Sequence, residues 1–202
     1  MSKVNANNVE LKNMTKEAIT TALFILMQQK PYREISITDI CERAGVSRNA
    51  FYRNYTVKDE IVRLYLFHIT EEYRKHLRSL SPITYHQLFS ELFTHLEKNK
   101  PLARLILNAG LEYLLIDVFF KSFRDFAEDD KGKPMYYLSF LSGAVYTTYI
   151  HWLCNDQPET PDQVSDMICK FARLPADEHC HLPEMSSTHH LMYELDFTYR
   201  KY

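Results

Sequence analysis

Glycine is scarce in this chain, with four among 202 residues. None of them builds the glycine-rich loop that cradles a nucleotide phosphate. Cysteine is equally sparse, and Cys41, Cys154, Cys169 and Cys180 have no close paired spacing. That leaves out the paired-cysteine zinc and redox patterns, and the expected compartment is a reducing cytoplasm. No apolar run approaches the ~20 residues of a membrane span, and no N-terminal stretch has the length of a signal peptide core. No metal-ligand pair and no Ser/His/Asp arrangement stands out, so no metal, no other cofactor and no membrane partner is expected. His179, Cys180, His181, His189 and His190 cluster near the end of the chain, but their spacing matches no standard metal site.

An excess of either charge is also lacking. Twenty-four Lys and Arg stand against 26 Asp and Glu, a net charge of −2. As a whole, that does not look like a nucleic-acid binder. The two parts of the chain differ, however. Residues 1–80 hold 13 basic and 9 acidic side chains, a net +4, while residues 81–202 hold 11 and 17, a net −6. A basic segment followed by an acidic one is the asymmetry that electrostatic DNA binding predicts. Since +4 is modest, affinity must come from a dimer and from well-placed contacts, and should fall steeply with salt.

The basic part contains SITDICERAGVSRNAFYRNYTVK, residues 36–58. Ser36 is a good N-cap, and Asp39, three residues on, adds a carboxylate at the positive end of that helix. Ile37, Ile40, Cys41 and Ala44 recur at helical spacing and give one apolar face. Gly45 lets the chain leave the helix at positive φ, and Val46 plugs the turn. Ser47 caps a second helix, with Phe51 and Tyr55 as its buried pair. This pattern predicts two helices at a steep angle, the second lying in the major groove of DNA. There Arg48 can donate two hydrogen bonds to guanine and Asn49 can pair with adenine. Ala50 permits close approach and can touch a thymine methyl. Tyr52, Arg53 and Asn54 suit phosphate oxygens, which set position without reading sequence. Thr38 and Ser47 complete the candidate DNA-binding set. Thr56 is the expected cap of a third helix, and Lys58 in its first turn is an expected phosphate clamp.

Residues 35–41 (ISITDIC), 44–47 (AGVS), Phe51-Tyr52, Tyr55 and Lys58-Asp59-Glu60 together resemble the N-terminal domain of the TetR family of transcriptional regulators. The resemblance is close over about residues 14–75 and holds beyond only in kind. It implies a homodimer on a palindromic double-stranded DNA operator, mostly acting as a repressor released by a small ligand. It assigns DNA contact to Arg48, Asn49, Ala50, Tyr52, Arg53, Asn54 and Lys58. Asn49 and Ala50 depart from the glycine or proline, then threonine, common in the family, which leaves operator preference open.

The expected fold is all-α. A three-helix DNA-binding head (residues 1–57) precedes a helical bundle for ligand binding and dimerisation (58–174) and a tail (175–202). Residues 1–13 are polar and read as loose. Thr15 opens a helix that ends before Pro31. A long helix follows from Thr56 to about Leu80, able to link head and body like a lever. Further helices are expected at about 84–98, 101–109, 111–128, 134–155 and 161–173, and there are no strong strand signals. Aromatic residues are dense in the body. Phe89, Phe93, Tyr113, Phe119, Phe123, Tyr137, Phe140 and Tyr149 are the candidate lining of a pocket for a small apolar or aromatic effector. Leu141, Ala144, Val145, Thr148, Trp152, Val164, Met167, Ile168 and Phe171 form the candidate dimer face. The tail is expected to be loose, or packed on the body through Leu191, Tyr193, Leu195, Phe197 and Tyr199.

The leading reading is a dimeric, ligand-released repressor. The second is a similar regulator, activator or repressor, controlled by a protein partner. An enzyme on a helical scaffold is the third, and no motif supports it.

Overall fold

The computed structural model describes residues 3–129, 135–155 and 159–180. Its first helix, α1, spans Lys3–Gln29, twelve residues earlier than Thr15 suggested. The Thr15 hydroxyl donates to the Leu11 carbonyl at 2.8 Å, so it is an interior residue and not a cap. Residues 3–14 contain neither proline nor glycine, and nothing in them breaks a helix. Pro31 and a 3₁₀ turn at Tyr32–Glu34 then lead into α2, Ile37–Ala44.

The entry to α2 is closed reciprocally. The Asp39 N–H donates to Ser36 Oγ at 3.1 Å, and the Ser36 N–H donates to Asp39 Oδ2 at 2.7 Å. Lys30 Nζ donates to the same carboxylate at 2.8 Å. That ammonium, with the Ser36 donors, holds the Asp39 carboxyl well below the usual range. The exit is Gly45, at φ 67° and ψ 30°. Behind it the Val46 N–H donates to the Cys41 carbonyl at 3.0 Å, the bond that closes a left-handed helix stop. A Cβ built on Gly45 would meet nothing within 4 Å, so the requirement there is conformational and not steric crowding. Gly45→Val should therefore cost about 1–2 kcal/mol from the left-handed backbone of a β-branched residue. Gly45→Asn should cost less, and urea denaturation of the two variants would separate them.

Ser47 accepts from the Ala50 N–H at 3.1 Å and opens α3, Arg48–Tyr52. The next helix, α4, runs Lys58–Ser79 with Val57 at its cap. Thr56 does not cap it: the Thr56 N–H instead donates to the Glu60 carboxylate at 2.6 Å. The remaining helices fall close to expectation. They are α5 (Tyr85–Lys98), α6 (Lys100–Asn108), α7 (Glu112–Asp129), α8 (Met135–Cys154) and α9 (Pro161–Phe171). Thr84 with Gln87, and Thr160 with Gln163, repeat the reciprocal cap at the starts of α5 and α9.

One feature has no counterpart in the sequence reading. Ile83–Thr84 (β1) pairs antiparallel with His179–Cys180 (β2). The Tyr85 and His86 N–H groups also donate to the Glu178 and Ala176 carbonyls, each at 3.1 Å. Residues 175–180 are thus tied to the start of α5. His181, His189, His190 and the aromatic end of the tail lie outside the described residues.

The buried side chains form two main clusters. One joins Ile19, Leu23, Ile40 and Phe51 of the head to Ile61 and Val62 of α4, and to Ile106 and Leu114 beyond it. The other joins α5 to α8 and α9 through Phe89, Phe93, Val145, Tyr149 and Val164. Each such side chain contributes roughly 1.5–3 kcal/mol by leaving water. Helix α4 packs on α1, α5 and α7; its Ile61, Val62 and Leu66 belong to the first cluster, and its Tyr73 and Leu77 form a third, smaller one with Ile83.

Candidate nucleic-acid interface and body cavity

Packing divides the α2–α3 corner into two sides. Ile40, Cys41, Phe51 and Tyr55 are buried. Thr38, Ser47, Arg48, Asn49, Tyr52 and Arg53 are exposed, and Ala50 is half-buried between them. The exposed group sits on the first turn of α3 and around it, where a major-groove helix presents its base-reading side chains. Two members of the candidate set are engaged elsewhere. Asn54 is half-buried, and its Nδ2 donates to the Ala50 carbonyl at 2.8 Å, closing the end of α3. Lys58 Nζ donates to the Tyr32 and Ile35 carbonyls at 2.6 and 2.7 Å and lies 4.2 Å from the centre of the Tyr32 ring. Burial lowers the pKa of that ammonium. In this structure Lys58 staples the 3₁₀ turn to α4 and is not extended towards a phosphate.

Arg48→Ala should reduce affinity for a specific operator by about 1–3 kcal/mol and relax the choice at one base position. Competition binding with single-base operator variants checks both. Equal binding by parent and variant to every site would remove Arg48 from the reading set.

The head is fastened to the body through Asp59 on α4. Tyr32 Oη donates to Asp59 Oδ1 at 2.6 Å, and the Tyr113 hydroxyl of α7 donates to Asp59 Oδ2. Burial, then the bond to Asp59, pushes the Tyr113 pKa up to about 12 and the Tyr32 pKa higher still. One turn on, Arg63 pairs with Asp117 of α7.

Behind this junction lies a cavity of about 180 Å³ between α4, α5, α7 and α8. Its wall is mostly apolar, with Leu66 and Ile69 from α4, Phe89 and Leu92 from α5, and Leu115 and Phe119 from α7. Tyr149 stacks on Phe119 with ring centres 5.7 Å apart, and burial raises its phenol well above the ordinary value, so it stays a protonated donor. Of the candidate lining, Phe89, Phe119, Tyr137 and Tyr149 reach the cavity. Phe93 instead packs edge-on against Trp152, with centres 5.3 Å apart. Tyr113 is taken by Asp59, and Phe140 is 64 % exposed on the outer side of α8. Phe123 belongs to α7, but its side chain is not among those described. Sequence reading missed the polar groups Arg74 and Asn99 of the wall. Single polar residues on amphipathic helices read as solvent-facing, so periodicity held no signal for them.

The candidate dimer residues divide in the same way. Leu141, Val145, Trp152, Val164 and Ile168 are buried in the chain's own second core. Ala144, Met167 and Phe171 are exposed and Thr148 is half-buried. Beside them, Tyr136 is 88 % exposed, Phe140 64 % and Phe171 79 %. Helix α8 is apolar on more than one side, so its pattern did not indicate which stripe the chain uses for itself.

Residues 19–64 match the family model described as bacterial regulatory proteins, tetR family. Residues 84–174 match the model described as transcriptional regulator C-terminal region. No curated protein matches the chain. Among solved structures, Lin0861 from Listeria innocua is 19 % identical with a TM-score of 0.67, over 80 % of this chain and 90 % of that one. A TetR transcriptional regulator from Streptococcus agalactiae is 20 % identical with a TM-score of 0.61, over 83 % of this chain and 98 % of that one. At these identities the two likenesses speak for the fold alone. Among the described residues no helix is long and apolar enough to cross a membrane.

Proposed function

We propose a mode of action from one premise: the chain belongs to the TetR family of transcriptional regulators. It binds a palindromic operator as a homodimer, represses from there, and is released by a small effector held in the body cavity. The observation that carries this reading is the course of α4. That one helix starts against the head at Lys58 and, about two to four turns on, supplies Leu66, Ile69, Thr70, Tyr73 and Arg74 to the cavity wall. An effector that favours one setting of α4 over another shifts the balance between DNA-competent and incompetent forms. In a dimer the balance acts on the distance between the two reading helices, which must match half-sites about 34 Å apart or a multiple of that.

Dimerisation is supported by the exposed apolar side chains of α8 and α9, Tyr136, Phe140, Ala144, Met167 and Phe171. Isolated, such a patch is unusual on a monomer. Reading heads paired by two-fold symmetry also double the contacts available to one short helix. The test begins by selecting operators from a random duplex library. Fluorescence anisotropy then measures operator affinity with and without each bound compound. If every ligand that occupies the cavity leaves operator affinity unchanged, the release mechanism is wrong.

The same apolar face supports a second reading, in which another protein docks there and controls the regulator. Sedimentation at micromolar concentration separates the two. A stable dimer consumes the face, whereas a monomer leaves it available to a partner.

A further inference from the structure

We infer that the cavity takes an uncharged molecule of about one ring that carries an acceptor oxygen, and that the Tyr149 hydroxyl donates to that oxygen. The inference rests on the effector reading of the cavity given above and adds the chemical class of the effector. Tyr149 is 1 % exposed and belongs to the cavity wall. Its ring is held against Phe119 of α7, with the two planes 19° apart. Its hydroxyl has no hydrogen-bond partner among the described residues. Neighbouring atoms do not seal that hydroxyl over, and the open space beside the residue is the cavity. A hydroxyl withdrawn from water is unfavourable unless an acceptor faces it. The acceptor is therefore left to whatever occupies the cavity.

Other polar side chains of the wall are engaged within the protein. The Thr70, Tyr73 and Ser122 hydroxyls donate to the Leu66, Leu88 and Val118 carbonyls at 2.9, 3.2 and 2.7 Å. Asn99 Nδ2 donates to the His95 carbonyl at 2.9 Å. Arg74 Nη1 donates to the Glu71 carboxylate at 3.0 Å, and the same residue has further partners. Its charge is thus met inside the protein and calls for no anion from the cavity. Burial lowers the pKa of His95, so its imidazole is neutral at pH 7. No Asp or Glu lines the cavity among the described residues, so a cation meets no counter-charge. An ion of either sign would lose its water there without a partner for its charge, and an uncharged molecule avoids that cost. Size narrows the class further. An apolar cavity of roughly 150 Å³ holds benzene, so about 180 Å³ suits one ring with a short substituent. The location also supplies a route to the head. Phe119 and Tyr113 share α7, and Tyr113 donates to Asp59 of α4. A ligand seated between Tyr149 and the α7 wall therefore bears on a helix that is bonded to the start of α4.

The test uses the full chain and isothermal titration calorimetry at pH 7. Four ring compounds of similar size are titrated into the parent and into Tyr149→Phe. Acetophenone carries the acceptor oxygen, ethylbenzene lacks it, and benzoate and benzylamine carry a charge. In the parent, benzoate and benzylamine should each bind at least tenfold more weakly than acetophenone. Tyr149→Phe should lower the acetophenone-to-ethylbenzene affinity ratio about fivefold, the equivalent of one neutral hydrogen bond, with ethylbenzene affinity kept. A ratio that Tyr149→Phe leaves unchanged would overturn the donor assignment. Either charged compound binding as tightly as acetophenone, or acetophenone failing to bind, would overturn the ligand class. Whether bound acetophenone changes operator affinity is scored separately by anisotropy and bears on the effector reading alone. If circular dichroism finds Tyr149→Phe unfolded, the infrared carbonyl stretch of acetophenone bound to the parent decides the matter. A frequency below that in hexane supports the hydrogen bond, and the hexane frequency overturns it.

Discussion

Phe51→Ala is expected to destabilise the folded protein by about 3–5 kcal/mol, the range for truncating a fully buried phenylalanine, and to abolish operator binding. Phe51 is 0 % exposed and is the fourth residue of a five-residue helix. A helix that short has no stability of its own. What holds α3 in place is its cap at Ser47 and the Phe51 ring, which lies 5.4 Å from Tyr52 and 5.9 Å from Tyr55, centre to centre. Removing the ring leaves a void next to Ile40 and Ile61 in the same cluster. The exposed neighbour Arg53 is the control: Arg53→Ala should change stability by no more than ~0.5 kcal/mol while still weakening DNA binding. Thermal unfolding checks the first effect, and anisotropy well below the melting point checks the second. A Phe51→Ala protein melting with the parent would show that α3 is held by something other than this packing.

Asp59→Ala is expected to cost about 2–4 kcal/mol and to uncouple the cavity from the head. The Asp59 carboxylate accepts from Tyr32 in the head and from Tyr113 on α7. A hydrogen bond to a charged group contributes about 1.5–3 kcal/mol. Tyr113 is 44 % exposed, so its share is taken from the lower end of that range. The two phenols also set a direction with pH. The pKa of Tyr113 is raised to about 12 from the ordinary 10. The neutral phenol is thus favoured by folding. The stability it adds is complete below about pH 10 and disappears as pH climbs through about 12. In Asp59→Ala that alkaline loss should shrink, because the carboxylate that favours the neutral phenol is gone. Urea titrations of parent and variant between neutral and strongly alkaline pH measure it. Tyr113→Phe should reproduce the weakened coupling with a smaller loss of stability. Should effector-dependent operator release survive intact in both variants, the link runs elsewhere.

The head was legible because its signals are local and agree. Ser36 with Asp39, Gly45 and Ser47 each determine a backbone turn through chemistry confined to a few residues, and the apolar spacing between them fits one corner. The helix limits in the body were legible for a similar reason, since Pro101, Gly110 and Pro161 interrupt an otherwise helical pattern. What sequence alone could not supply was choice among equivalent partners. Lys58 and Asn54 read as surface donors, yet each lies within reach of main-chain carbonyls. Arg74 sits among Glu71, Glu72, Lys75 and His76, and nothing in that run distinguishes the cation that faces inward. The β1–β2 pair has two residues in each strand, too short for an alternating pattern to show. In α8, Tyr136 and Phe140 resemble Leu141 and Val145 in composition, and only the positions of α5, α7 and α9 decide which group is covered.

The first core has no seam at residue 57. Head residues share it with Ile61, Val62 and Leu66 of α4 and with Ile106 and Leu114 farther along the chain. A chimera that grafted residues 1–57 onto a foreign bundle would carry over an oily wall with nothing shaped to close it. On the proposed reading of α3, a new operator is accordingly sought by repainting Arg48, Asn49 and Ala50 on the parent scaffold.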